Sequence, residues 1–291
     1  DAYGTQVIHQ AWKPVTVFLN GQYWGHMNLR ERVDRFFIAQ FEGLPLDQAD
    51  EMDILEANGS VNFGSNKAYR AMLKKIKPGS PATNPDDLQY ILDNVDVDNL
   101  FEYMALEMFV GNSDIGNIRY YRLHQEGSKW KWIWYDADYG LYSSKFNSPW
   151  SYLKVKGMGE QKIDNTIFLK LLEHPDYKRK FLEKLADVYK TFTTEYMTQV
   201  LDGVVAEIQP EMKNHWERWG ELNDKAVTSE VPTTIDGAYT YWESRVNRLY
   251  NTLKVRPHRL WDFIKDEFKL TKTEMEELFG PQPDYPDDAV L

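Results

Sequence analysis

The sequence contains no cysteine. That excludes thiol nucleophiles, zinc–thiolate centres, iron–sulfur clusters and disulfide staples together, yet fits either side of a membrane. Basic residues are also scarce: 34 Lys+Arg face 45 Asp+Glu, a net charge of −11. A broad basic face is therefore not expected, and nucleic acid is disfavoured as a partner. The six histidines, at 9, 26, 124, 174, 215 and 258, never fall at the i, i+4 spacing of a helical metal site. No stretch approaches the roughly 18 apolar residues of a membrane span. The opening DAYGTQ carries no charged-then-apolar signal pattern. Neither a Gly-x-x-x-x-Gly-Lys-Ser/Thr loop nor a Gly-x-Ser-x-Gly elbow occurs, which removes ordinary P-loop and α/β-hydrolase readings. What the chain does have is 291 residues, enough for a substantial core, and many aromatics, with 10 Trp and 18 Tyr.

Hydrophobic periodicity organises the chain. Residues 14–19 and 22–29 flank Asn20-Gly21 and predict a hairpin, because Asn-Gly tolerates the positive φ of a type I′ turn. Helical spacing follows over 33–41, stopped by Gly43 and Pro45. A short strand is predicted over 52–55, a loop at 58–60, a helix over 68–76 and an exposed loop over 78–86. Asn99 with Glu102 has the spacing of a capping box, opening a helix that runs to Gly111. Residues 143–164 hold Pro149, Gly157, Gly159 and four lysines, and predict a long mobile loop. From Thr166 onward the pattern is helical over 167–172, 177–189, 195–219 and 239–253. Two shorter helices follow, over 257–268 and over 272–278 behind a Thr271 cap. The expected organisation is a strand and helix region through 165, a helical region 166–280 of the same domain, and a disordered tail 281–291. The charges at 221–224 and 274–277 are expected to be solvated helix ends.

Chemistry concentrates between Gly111 and Gly140. Asn112, Asp114 and Asn117 precede a predicted hairpin, strands 118–124 and 129–135, and Asp136 and Asp138 follow it. Pairing about the 125–128 loop with opposed numbers summing to 253 sets Tyr120 against Ile133, Arg122 against Lys131 and Asn117 against Asp136. An amide and a carboxylate placed so can share a divalent cation, and few hard oxygen donors with room for waters and phosphates suit Mg²⁺. Asp138 shares the parity of Asp136 if the segment stays extended. The same residues also suit turns and caps at a helix-to-strand junction.

Three motifs in order resemble the CotH (spore coat protein H) kinase-like family of atypical protein kinases. FLNGQYWGHMNLRERVDRFF is similar to its strand, Asn-Gly turn and Glu-bearing junction; GNSDIGNIRYY with KWKWIWYDADYG to its Asn-x-Asp and Asp-x-Asp segments; YWESRVNRLYNTL to its late helix with a central Arg. The resemblance implies an α+β, diverged protein-kinase-like fold, with antiparallel hairpins followed by a mainly helical C-terminal half. It implies transfer of the γ-phosphoryl of ATP to Ser or Thr of a protein substrate, with Mg²⁺ or Mn²⁺. Asp136, Asn117 and Asp138 would hold metal, Asp114 would orient or deprotonate the acceptor hydroxyl, and Glu31 and Asn112 would organise the nucleotide site. The Asp114-to-Asn117 spacing is a residue or two shorter than the family's, and the family's Lys-bearing upstream segment has no counterpart before Asp1. A truncated or weakly active kinase is therefore expected. The family points to a cell-surface or extracytoplasmic place.

Two other readings compete. Trp130, Trp132 and Trp134 share one strand face, which suits a buried sheet face or a sugar platform. The second use would make the chain a carbohydrate-binding module or glycoside hydrolase. Asp/Asn clusters at loop ends also suit Ca²⁺ in a structural, non-catalytic module.

Overall fold

The computed structural model describes residues 4–76, 85–154, 163–219 and 234–285. It is a mixed α+β structure, with strands in the N-terminal half and a mainly helical C-terminal half. Contacts group the chain into two compact units: residues 1–10, 32–191 and 256–284 form the first, and residues 11–31, 192–255 and 285–291 the second. No border of this grouping falls at residue 165.

The first unit is built on a five-stranded sheet. Its strands are β1 (Ile8–His9), β4 (Met52–Glu56), β5 (Ser60–Phe63), β6 (Arg119–Leu123) and β7 (Lys131–Trp134), in the order β1-β7-β6-β4-β5. β1 runs parallel to β7, and the other pairings are antiparallel. Strand β5 begins within the stretch expected as loop, where Gly59 at φ +89° turns the chain back on β4. The register of β6 on β7 sets Arg119 against Ile133, Tyr120 against Trp132 and Tyr121 against Lys131. Opposed numbers thus sum to 252, and the pairing predicted from the loop is one residue out. The sheet is filled by Met52, Ile54, Tyr121 and Ile133, against Ile38 and Ala39 of helix α1 (Arg35–Phe41).

Helices α2 (Lys67–Lys75), α3 (Pro85–Asn94), α4 (Val97–Val110), α5 (Ser148–Tyr152), α6 (Thr166–Glu173) and α7 (Pro175–Thr191) complete most of this unit. Two of them correct expected loops. Helix α3 opens at Pro85 with Asp86 and Asp87 in its first turn, a favourable start for the helix dipole; the earlier part of the 78–86 stretch lies outside the described residues. Helix α5 interrupts the 143–164 loop, capped by Asn147, whose side chain accepts from the Trp150 N–H. Residues 155–162 of that loop, and the charges at 221–224, are outside the described residues.

The second unit carries β2 (Trp12–Leu19) and β3 (Gln22–Arg30), with Asn20 at φ 53° and Gly21 at φ 77° in the turn, as Asn-Gly requires. Helix α8 (Thr194–Trp219) packs on β3. Its Trp219 Nε1 donates to the Trp24 carbonyl (2.7 Å), and His215 Nδ1 accepts from the His26 N–H (3.1 Å). Gly25 lies under both rings: a Cβ there would stand 2.8 Å from Trp219 Nε1 and 3.0 Å from His215 Nδ1. Helix α9 (Ile235–Phe268) is continuous, so the separate helices expected over 239–253 and 257–268 are one, with Pro257 inside it. Helix α10 (Lys272–Phe279) starts at the expected Thr271 cap, with Glu274 completing a capping box. Of the expected tail, 281–291, the structure describes residues 281–285. His258 Nδ1 bonds the Pro283 carbonyl (2.7 Å) and Trp261 Nε1 donates to the Gly280 carbonyl (3.2 Å), which fixes that stretch on α9.

Candidate functional site

The site is assembled at the C-terminal end of α4. This helix is buried on every side, with all of its residues except Asp98 in the core. It starts at Asp96, whose carboxylate accepts from the Asn99 N–H (3.1 Å), not at Asn99 as a box with Glu102. Asn99 has another task. Its Oδ1 accepts from the Trp132 N–H (2.6 Å) and its Nδ2 donates to the Trp132 carbonyl (3.2 Å), so one helix side chain pairs with β7 as a neighbouring strand would. Trp130 and Trp132 are 0% and 4% exposed, which corrects the sugar platform to a buried sheet face.

At the other end, Gly111 in the left-handed region (φ +66°) closes α4, and its N–H donates to the Glu107 carbonyl (3.0 Å). Asn112 follows, 1% exposed. Its Oδ1 accepts from the Asp114 N–H (3.1 Å), and its carbonyl accepts from the Tyr152 hydroxyl (3.2 Å). The Asp114 carbonyl accepts from the Asn117 N–H (3.1 Å), which makes a tight turn presenting a half-buried Asp114 carboxylate. Asn112 thus spends its polar atoms on holding this turn.

Across the hairpin, Asn117 Nδ2 donates to Asp136 Oδ2 (2.6 Å) and the Tyr135 hydroxyl donates to Asn117 Oδ1 (2.6 Å). The predicted pair therefore forms, though the ladder register is shifted. By that register Asn117 falls opposite Tyr135, and Tyr135 does reach it. Asp136 arrives because its own backbone turns into the left-handed region (φ 54°), which swings its side chain back to Asn117. The same turn undoes the parity argument for Asp138, which is exposed where the chain folds over and the Gly140 N–H donates to the Ala137 carbonyl (2.9 Å). Glu31 belongs to the second unit. There its N–H donates to the Ala11 carbonyl (3.2 Å) and its Oε2 accepts from the Ala11 N–H (2.8 Å), closing the open end of the hairpin.

Sequence reasoning missed three supporting residues. Arg119 lies 4.7 Å from the Tyr135 ring centroid, donates to the Val33 carbonyl (2.8 Å) and pairs with Glu56 (3.7 Å), placing positive charge beside the amide–carboxylate pair. Glu107 is buried one turn before Gly111, and Tyr152 donates to its Oε2 (2.7 Å). Burial raises its pKa from 4.5 to about 7, and the hydrogen bond from Tyr152 opposes the shift. Arg256, 2% exposed, reaches the end of α4 from α9: its Nη2 donates to the Met108 carbonyl (2.9 Å) and Ser148 Oγ (2.6 Å), its Nε to the Phe109 carbonyl (3.3 Å) and its Nη1 to the Phe146 carbonyl (2.5 Å). Burial holds its pKa down to about 9. A cation on the last carbonyls also meets the negative end of the helix dipole. A Glu within an otherwise apolar helix was the available sign for Glu107; nothing local announced Arg256.

Among the described residues no three His, Cys, Asp or Glu side chains converge tightly enough to hold a metal by themselves. That donor set fits Mg²⁺ or Mn²⁺, which take one or two protein carboxylates and fill the remaining positions with water and phosphate oxygens.

No helix among the described residues is long and apolar enough to cross a membrane. No curated protein matches the chain significantly. The family model of the CotH kinase protein matches residues 3–260, and with the sheet, hairpin and buried turn just described it assigns the chain: it belongs to the CotH kinase protein family.

Proposed function

We propose that the chain is a metal-dependent phosphotransferase that moves the γ-phosphate of ATP to Ser or Thr of a protein. The observation that carries this reading is the Asn117–Asp136 pair, 2.6 Å apart at the hairpin end, with the Asp114 turn on the same β6 approach, in a chain of a kinase family. Asp136 would hold Mg²⁺ or Mn²⁺ with its exposed carboxylate, Asn117 would steady that carboxylate or add its own oxygen, and Asp138 is the further carboxylate available nearby in sequence. The metal supplies neutralisation of phosphate charge. Asp114, held by Asn112, would orient the acceptor hydroxyl or take its proton. Arg119 supplies the cation next to the pair. Glu31 organises the hairpin end of the second unit, and we assign it no direct ligand. The cell surface or another extracytoplasmic place is the proposed location, on family grounds.

The test is thermal unfolding with ATP and Mg²⁺ or Mn²⁺. Saturation to about 100 times Kd should add roughly 2.7 kcal/mol. Asp136→Asn should abolish that gain while leaving the ligand-free melting temperature within a few degrees. An equal gain with metal alone, or no gain with ATP, would remove the nucleotide reading.

A further inference from the structure

One hydroxyl proton beside the Asp114 turn has two claimants. Tyr152 of α5 is 2% exposed, and its phenol oxygen stands 2.7 Å from Glu107 Oε2 and 3.2 Å from the Asn112 carbonyl oxygen. A phenol carries a single O–H, so it donates well to one acceptor at a time, while its oxygen can also accept. The side chain is held in place by its helix. At the start of α5 the Ser148 hydroxyl donates to the Met108 carbonyl, and at its end Asn165 Nδ2 donates to the Tyr152 carbonyl (3.0 Å). Only the proton can turn.

Glu107 decides which way it turns. As a carboxylate Glu107 only accepts, and as the charged acceptor it draws the Tyr152 proton. As a carboxylic acid it donates to the Tyr152 oxygen, and the Tyr152 proton then goes to the Asn112 carbonyl. Asn112 in turn holds the Asp114 N–H on its Oδ1 (3.1 Å). We propose that Glu107 and Tyr152 are positioning residues for Asp114: with a proton on Glu107 the pair fastens Asn112 and the Asp114 turn, and loss of that proton loosens them. Burial lifts the Glu107 pKa to about 7, and the nearby Asp114 charge acts in the same direction, so the exchange falls near neutral pH. The other groups around Glu107 keep their state across that range. Burial holds the Tyr103 and Tyr152 hydroxyls protonated, and Arg256, on the Met108 and Phe109 carbonyls with a pKa of about 9, stays charged. From β7 comes the Trp134 indole, and α7 meets α4 through apolar contacts such as Phe181 on Phe101; neither titrates.

The proposal rests on Asp114 acting at the acceptor hydroxyl, and its test has one arm that does not need that reading. In amide NMR spectra of the purified chain, the Asp114 N–H shift should titrate with a midpoint near pH 7. It should not do so in Glu107→Gln, which is neutral at every pH, and should do so far less in Tyr152→Phe, which cannot relay the change. In phosphotransfer from ATP to casein with Mg²⁺, kcat should fall about fivefold between about pH 6 and about pH 8, the effect of one hydrogen bond. Glu107→Gln should keep the higher value throughout, and Tyr152→Phe the lower. Should Glu107→Gln fail to fold by circular dichroism, Tyr152→Phe decides alone. No transfer at any pH counts against the phosphotransferase reading, and the NMR arm then decides the switch. An Asp114 shift that does not titrate in the parent, or that titrates equally in Tyr152→Phe, overturns the proposal, as does a kcat that declines alike in the parent and in Glu107→Gln.

Discussion

Tyr135 controls which atom Asn117 offers. Its hydroxyl occupies Asn117 Oδ1, so the amide turns its N–H₂ toward Asp136. Tyr135→Phe should cost about 1 kcal/mol of stability, the usual net value of one hydrogen bond. It should also change the metal dependence of the ATP-induced melting shift, because Asn117 is no longer fixed; an unchanged metal profile would separate Tyr135 from the site. Glu107 yields a pH prediction. Its folded pKa, about 7, stands above the 4.5 of the unfolded chain, so between these values the folded state holds a proton that the unfolded state has lost. Its contribution is full at the acid end of that window and is lost as pH rises through it, by up to about 3 kcal/mol. Glu107→Gln should flatten that decline, as read from urea midpoints at several pH values. The carboxylates of this site were legible in the sequence, because Asn and Asp at both ends of a hairpin are a local pattern. Their pairing was predicted from a register that is one residue wrong, and the left-handed Asp136 restores it. Tyr135, Glu107 and Arg256 were not legible as site residues, since each acts through partners that only the fold brings near.

Between elements, single side chains replace missing backbone partners. Pro257 lacks an N–H, so within α9 it leaves the Leu253 carbonyl, four residues back, without its helical donor. The Thr194 hydroxyl donates to that carbonyl (3.0 Å) at the start of α8. Helical spacing and Pro at a first-turn position argued for two helices here; the hydroxyl, distant in sequence, is what lets them be one. Thr194→Val should therefore destabilise the protein by about 1–2 kcal/mol, and by less in a Pro257→Ala background, where the backbone N–H returns. A double-mutant cycle by chemical denaturation measures the difference. Arg256→Lys keeps the charge but replaces a planar fork of donors by one ammonium, and should cost about 2 kcal/mol. Gly111→Ala should cost more than a simple left-handed penalty of about 1 kcal/mol, because its Cβ would stand 2.8 Å from Arg256 Nη2. The long amphipathic helices were readable from periodicity, whereas α3, α5 and β5 are short and sit among turn-forming residues, where pattern is weak.

For the molecule as a whole, the two units titrate in opposite senses. His215 in the second unit accepts from the His26 N–H, which requires its neutral form, and burial with the neighbouring His26 lowers its pKa from 6.5 while Glu211 opposes the shift. Its contribution is present above about pH 6.5 and is lost as pH falls through the lowered value. Glu107 in the first unit acts the other way. Calorimetric melting should therefore show the second unit weakened preferentially at acid pH, and His215→Asn, which keeps an acceptor without the titration, should remove that limb. The overall class, strands first and helices after, was legible in the order of elements, and the family in the resemblance of three motifs. The interleaving of the two units was not, because residues 11–31 join residues 192–255 only through contacts distant in the chain. The same long reach governs Arg256, which serves carbonyls 147 and 148 positions earlier. On a ribosome adding about 5–20 residues per second, α4 and the Asp114 turn emerge on the order of ten seconds before the guanidinium that secures them. During that interval the Asp114 turn is a nascent segment awaiting its C-terminal clamp, so release of the chain short of residue 256 yields a protein with every carboxylate of the candidate site and no fixed turn.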